Sequence, residues 1–151
     1  GEDHTPETHL VPLTIGAALG LREALTLYGS DFPTPDGTCI RDYIHVEDLA
    51  SAHIALLESL PMAGPHTFRA YNVGTGKGTS NLEVIAAVEA VTGRSVPHTV
   101  GPRRSGDPAI LVADSSALQR ELRWSPHYRD LAAGIKTVHT WMQKNPAGYA
   151  N

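Results

Sequence analysis

The chain has 151 residues, 41% hydrophobic and 19% charged, the make-up of one ordinary globular domain with material for a sizeable core. Its formal net charge of -4 excludes a general nucleic-acid surface, so any anion must be met by arginines placed locally. No apolar run is long enough to span a bilayer, and no signal peptide is expected at the start. The single cysteine, Cys39, excludes an intrachain disulfide and points to a reducing, cytoplasmic setting.

In chain order, residues 1–8 read as a polar loop. Pro12 suits a first helical turn, and an apolar helix is expected to follow over 13–19 and to stop at Gly20. Residues 25–28 read as a strand closed by Gly29, and 31–37 carry turn chemistry in Pro33, Pro35, Asp36 and Gly37. An extended stretch over 40–46 would place Ile40, Ile44 and Val46 on one side and Arg41, Tyr43 and His45 on the other. Leu49, Ala52, Leu56 and Leu60 mark a helix over 47–60, stopped by Pro61. A strand is expected over 70–73, then a glycine loop at Gly74, Gly76 and Gly78. Ser80 and Glu83 form a capping box for a helix carrying Leu82, Ile85, Val88 and Val91, with Gly93 as its C-terminal cap. Short extended pieces follow at 98–100 and 111–113. Asp114 is expected to cap a short helix with Leu118 and Leu122, and Leu131, Ile135, Val138 and Met142 mark a last amphipathic helix ending near Pro146. The alternation of elements gives an α/β or α+β fold, with too few strands in βαβ order for a complete doubly wound sheet.

Two loops carry the chemistry. In Cys39-Ile40-Arg41-Asp42-Tyr43-Ile44-His45-Val46 and in Pro102-Arg103-Arg104-Ser105-Gly106-Asp107-Pro108, a guanidinium fork stands beside an aspartate. Such a fork matches phosphate oxygens bidentately, and a neighbouring carboxylate accepts from sugar hydroxyls, so the two loops are expected to close on one phosphate- and sugar-bearing ligand. The glycine loop fits neither the P-loop nor the dinucleotide spacing and reads as a connection. Tyr43 and His45 read as structural or ligand-packing residues, Trp124 and Trp141 as core or interface. His4 and His9 form no metal pair, and no metal site is expected.

The run Gly37-Thr38-Cys39-Ile40-Arg41-Asp42-Tyr43-Ile44-His45-Val46-Glu47-Asp48-Leu49-Ala50 can be taken with Tyr71-Asn72-Val73-Gly74-Thr75-Gly76, the second arginine loop and Leu122-Arg123-Trp124-Ser125-Pro126. Together they closely resemble the UDP-glucose 4-epimerase family of the extended short-chain dehydrogenase/reductase superfamily. The resemblance implies that residues 1–151 form the C-terminal, substrate-binding portion of such an enzyme, a partial α/β fold of mixed short strands and helices without a complete Rossmann domain. It implies that Arg41 and Arg104 reach the UDP diphosphate and that Asp107 holds the ribose hydroxyls. It places Thr26 and Tyr28 at the uracil and the backbone N–H of Leu10 at a phosphate, with His9 where some members carry Asn. Leu111 falls at a wall beside the sugar whose size governs admission of N-acetylated sugars, and leucine implies weak admission of UDP-N-acetylglucosamine.

The parent reaction interconverts UDP-glucose and UDP-galactose through a 4-keto intermediate with bound NAD. No Tyr-x-x-x-Lys pair and no dinucleotide fingerprint occur in the chain. The sequence reading is therefore a fragment without catalytic or cofactor-binding residues, inactive alone, whose partners are a UDP-sugar and a missing N-terminal NAD-binding half. The parent is expected to be a homodimer, with no nucleic-acid or membrane partner. The alternatives are a stand-alone nucleotide-sugar binding or interaction module, or part of another nucleotide-sugar epimerase or dehydratase.

Overall fold

The computed structural model describes residues 5–60 and 68–149. The expected roles of His4 and Pro61 lie outside them.

The first core forms around two parallel strands. Strand β1 (Leu25–Tyr28) alternates, with Leu25 and Leu27 buried and Thr26 and Tyr28 exposed. It pairs in parallel with β4 (His98–Gly101), Leu25 opposite His98 and Tyr28 opposite Gly101. Helix α1 (Leu10–Ala18) is apolar on nearly every side and is therefore covered on most of them. Pro12 sits in its first turn, where a missing N–H costs nothing. Helix α3 (Asn81–Thr92) starts at the expected capping box and ends at Gly93 with φ 67°, a left-handed conformation that suits glycine. Together with α5 (Leu131–Lys144), capped by the Asp130 side chain, these helices bury Ile15, Leu27, Ile85, Val88 and Ile135.

The second sheet has the order β3-β2-β5. Strand β2 (Ile40–Asp42) runs antiparallel to β3 (Gly78–Ser80) and parallel to β5 (Ile110–Leu111). The extended stretch expected over 40–46 stops at Asp42, because His45 turns the chain and caps α2 (Val46–Ser59) by accepting the Glu47 N–H. The strand expected over 70–73 is absent. Both edges of β2 are taken by β3 and β5, so Tyr71 and Val73 pack instead on Ala52, Leu118 and Trp124. That second cluster joins α2 to α4 (Ser116–Leu122). The cap of α4 is Ser115, and Asp114 still accepts the Ser116 N–H at 2.9 Å.

The layers are α/β. The expectation of a partial fold is corrected at the parallel pair β1–β4, which is flanked by helices in a Rossmann-like manner over a hydrophobic core, while the short mixed strands make up the second sheet.

Candidate functional site

The two arginine loops meet at one carboxylate. Arg41 is the middle residue of β2, held opposite Thr79 on one side and Leu111 on the other. Its Nη1 donates to the Ile40 carbonyl at 2.8 Å and its Nη2 to Asp107 Oδ1 at 2.7 Å. Arg104 comes from the loop after β4 and donates through Nε and Nη2 to Asp107 Oδ2 at 3.1 and 2.9 Å. Gly106 makes the turn between them with φ 80°. Burial raises the Asp107 pKa, but the hydrogen bonds and charges of Arg104 and Arg41 outweigh that and hold it below the ordinary carboxylate value. Two guanidinium groups on one carboxylate leave a cationic centre. Arg104 also lies over the exposed Tyr28 ring, its Cζ 5.2 Å from the centroid. Thr26 is exposed on the same face of β1. An aromatic ring beside paired arginines suits a base linked to phosphates.

Arg41, Asp107, Arg104 and Tyr28 are thus linked by contact, Thr26 shares the exposed face of β1 with Tyr28, and Leu111, paired with Arg41, is 60% exposed. His9 and Leu10 are placed differently. They start α1 and line a cavity of about 570 Å³ with Tyr43, His45, Lys77, Tyr128 and Arg129. His9 Nδ1 lies 2.9 Å from Glu7 Oε1, which also accepts the N–H groups of Thr8 and His9 at 2.7 Å each. No acidic residue occupies the first turn of α1, but the Glu7 carboxylate sits at its N-cap and offsets the positive helix end.

Tyr43 is poorly suited to acid–base work. Burial, reinforced by Cys39 and opposed by Arg41, pushes its phenol far above the ordinary value. His45 has a structural part. Its Nδ1 accepts the Glu47 N–H at 3.2 Å, which assigns the proton to Nε2, 2.8 Å from Thr137 Oγ1. Its ring stacks on Tyr128 with centroids 3.8 Å apart.

The glycine loop is packed against its own chain. A Cβ at Gly74 would lie 2.5 Å from Asp42 Oδ2, and one at Gly78 would lie 2.5 Å from Ile40 Cγ2. Three groups have partners that the sequence reading did not give them. Asp42 accepts from Thr75 N at 3.0 Å, Thr75 Oγ1 at 2.6 Å and Gly76 N at 2.9 Å, fixing that loop beside Arg41. Asp48, only 3% exposed, accepts from His127 N and Tyr128 N at 2.7 and 2.9 Å. Arg103 turns away from Arg104 to stack on Phe32. Each sits inside a motif read for its arginines, and only its tertiary partners reveal it.

The model of the NAD dependent epimerase/dehydratase family matches residues 1–74. The UDP-glucose 4-epimerase of Lacticaseibacillus casei is 46% identical over 151 residues, 100% of this chain and 45% of its own length. A crystal structure of a UDP-glucose 4-epimerase superposes with a TM-score of 0.92 at 50% identity, over 100% of this chain and 45% of that one. That of the Brucella ovis enzyme, solved in complex with NAD, gives 0.84 at 49% identity, over 91% of this chain and 42% of that one. The chain therefore spans about 45% of the length of the curated relative and of the first of these structures.

These findings correct the expectations framed on a missing part. The likeness takes in every residue of the chain, which closes a core of its own. Fragment, C-terminal half, inactivity alone and dependence on an absent N-terminal partner are not carried further as descriptions of it; the likeness takes in every residue of the chain and 45% of the length of those relatives. The expectation that this chain alone binds no NAD is not carried further; the Brucella ovis relative was solved in complex with NAD.

Proposed function

We propose that the chain belongs to the UDP-glucose 4-epimerase family and that the Arg41–Asp107–Arg104 centre, with Tyr28 and Thr26, takes the nucleotide of a UDP-sugar. The observation that carries this reading is the meeting of two arginines from distant loops on one half-buried carboxylate beside an exposed aromatic ring. Arg41 and Arg104 hold the diphosphate through the N–H groups that Asp107 leaves open, and Tyr28 offers its face to the base. Asp107 Oδ1, which accepts only from Arg41, keeps a further lone pair for a ribose hydroxyl. Leu111, beside Arg41 in register, is read as a sugar-side wall, and His9 and Leu10 as phosphate contacts from the cavity they line.

The activity proposed is interconversion of UDP-glucose and UDP-galactose. NAD, when bound, supplies acceptance and return of a hydride at sugar carbon 4. The glycine loop does not fit its pyrophosphate, because Gly74 and Gly78 are filled by Asp42 and Ile40, and no step is derived through it. A cytoplasmic setting accords with the buried free Cys39, and among the described residues no helix is long and apolar enough to cross a membrane.

Calorimetry with UDP tests the site. Arg104→Met and Arg41→Met should each weaken binding by about 2 kcal/mol or more, the scale of a lost charge-assisted pair. Equal affinity in wild type and both variants would refute the assignment.

A further inference from the structure

We propose that Arg103, clamped by Phe32 and Asp31, is a positioning residue for Arg104 and tunes affinity for a nucleoside diphosphate without touching it. This rests on the reading of the arginine site given above. Arg103 and Arg104 leave the loop in different directions. Arg103 reaches back to the turn after β1, where its Nε donates to Asp31 Oδ1 at 2.5 Å and its Cζ lies 4.1 Å from the Phe32 ring centroid. Phe32 is buried, and its N–H donates to the Gly37 carbonyl at 2.9 Å.

Gly29 makes this packing possible. It has φ +91°, and a Cβ there would lie 2.6 Å from Phe32 Cε2 and 2.7 Å from Arg103 Cγ. Its N–H also continues the β1–β4 ladder by donating to the Gly101 carbonyl at 2.9 Å. The turn itself is anchored to the rest of the fold. Asp36 accepts the Thr38 N–H and hydroxyl at 2.8 Å each and takes the Ser80 hydroxyl at the start of α3. The base of the second arginine loop is therefore fixed to a rigid turn at one residue, Arg103.

Arg104 is different. Its side chain is 63% exposed and is steered by Asp107 and the Tyr28 ring. An exposed arginine that the ligand must order weakens binding, and one whose backbone is already fixed does so less. Arg103 is charge-paired and stacked away from Asp107, so it acts on the ligand through Arg104.

The test uses the 151-residue chain, UDP calorimetry, and the variants Arg103→Gln, Arg103→Lys and Phe32→Leu. Arg103→Gln and Phe32→Leu should each weaken UDP binding about tenfold. Arg103→Lys, which keeps the charge and loses the planar stack, should not restore it. In an Arg104→Met background, Arg103→Gln should add no further loss. Unchanged affinity in both Arg103→Gln and Phe32→Leu overturns the proposal. So does an equal loss in the two backgrounds, which would make Arg103 a direct ligand contact. Should Arg103→Gln not fold, Phe32→Leu carries the same comparison. If wild type shows no UDP affinity, the reading of the site fails, and positioning is judged on the ligand-free chain by the Arg104 Nε–H signal in NMR. Its hydrogen exchange should quicken in Arg103→Gln, and unchanged exchange overturns the proposal.

Discussion

Asp48 offers the sharpest test of how the second core is held. It sits in the first turn of α2, yet its carboxylate leaves that helix to accept the N–H groups of His127 and Tyr128 at 2.7 and 2.9 Å. That seats the turn leading into α5. Tyr128 then stacks on His45, and its hydroxyl donates to Glu47 Oε2 at 3.0 Å. Ser51 links the same helix to Trp124, whose Nε1 donates to Ser51 Oγ at 2.8 Å. At 3% exposure, water does not replace the carboxylate. Two hydrogen bonds to a charged acceptor are worth about 1.5–3 kcal/mol each, so Asp48→Ala should cost about 4 kcal/mol. Asp48→Asn keeps one acceptor oxygen for one of the two N–H groups and should cost about half of that. For a chain of this size, the alanine variant should melt about 12 °C lower. Equilibrium unfolding in urea, followed by far-UV circular dichroism, measures both variants. A loss under about 1 kcal/mol for Asp48→Ala would refute the reasoning, because two N–H groups stripped of a charged acceptor cannot be that inexpensive.

Asp107 should give the protein an acid limb. Its folded pKa lies below the ordinary value, with burial opposing and the two arginines prevailing. The unfolded chain therefore takes up the proton more readily. The stabilisation is fully present above the unfolded value of about 3.9 and is lost as pH falls through the lower folded value. Urea midpoints measured below about pH 5 should fall more steeply for wild type than for Asp107→Asn, and parallel curves would show that the carboxylate is not linked to folding. Gly74→Ala should destabilise by about 2 kcal/mol, because the new Cβ would lie 2.5 Å from Asp42 Oδ2 and 2.6 Å from Ala113 Cβ. Gly93→Ala meets nothing within 4 Å and strains only φ +67°, so about 1 kcal/mol is expected. The reverse order in urea unfolding would contradict the packing account.

Much of the helical half of the fold was legible from local chemistry. Ser80 and Glu83 announce α3 and Gly93 ends it, because caps are written within a few residues of the hydrogen bonds they satisfy. The strands were less legible, since a strand is decided by its partner. Gly78 reads as loop, yet it lies in β3 because Ile40 Cγ2 and Val112 Cγ2 occupy the space of a side chain. Tyr71 and Val73 read as strand, yet they find no free edge on β2. The parallel pairing of β1 with β4 joins segments far apart in sequence, which no local pattern encodes. The candidate site shows the same division. Residue type singled out Arg41, Arg104 and Asp107, but their convergence depends on β2, the glycine loop and the base of the second loop being fixed by Asp42 and Arg103.

That convergence bears on how a cationic site can exist in a chain of net charge -4. Two guanidinium groups brought together repel one another, and the cost grows as water is excluded. Asp107 lies between them with 15% of its side chain exposed, one oxygen accepting from each arginine. It offsets the repulsion and orients both forks. The carboxylate uses only part of their donors. Arg41 spends Nη1 on the Ile40 carbonyl and Nη2 on Asp107, and Arg104 spends Nε and Nη2, so each keeps N–H groups for a second acceptor. A diphosphate would meet donors already aimed and a residual positive charge, while the surface as a whole repels polyanions. Selectivity for a small anionic ligand over nucleic acid follows from that combination of local and global charge.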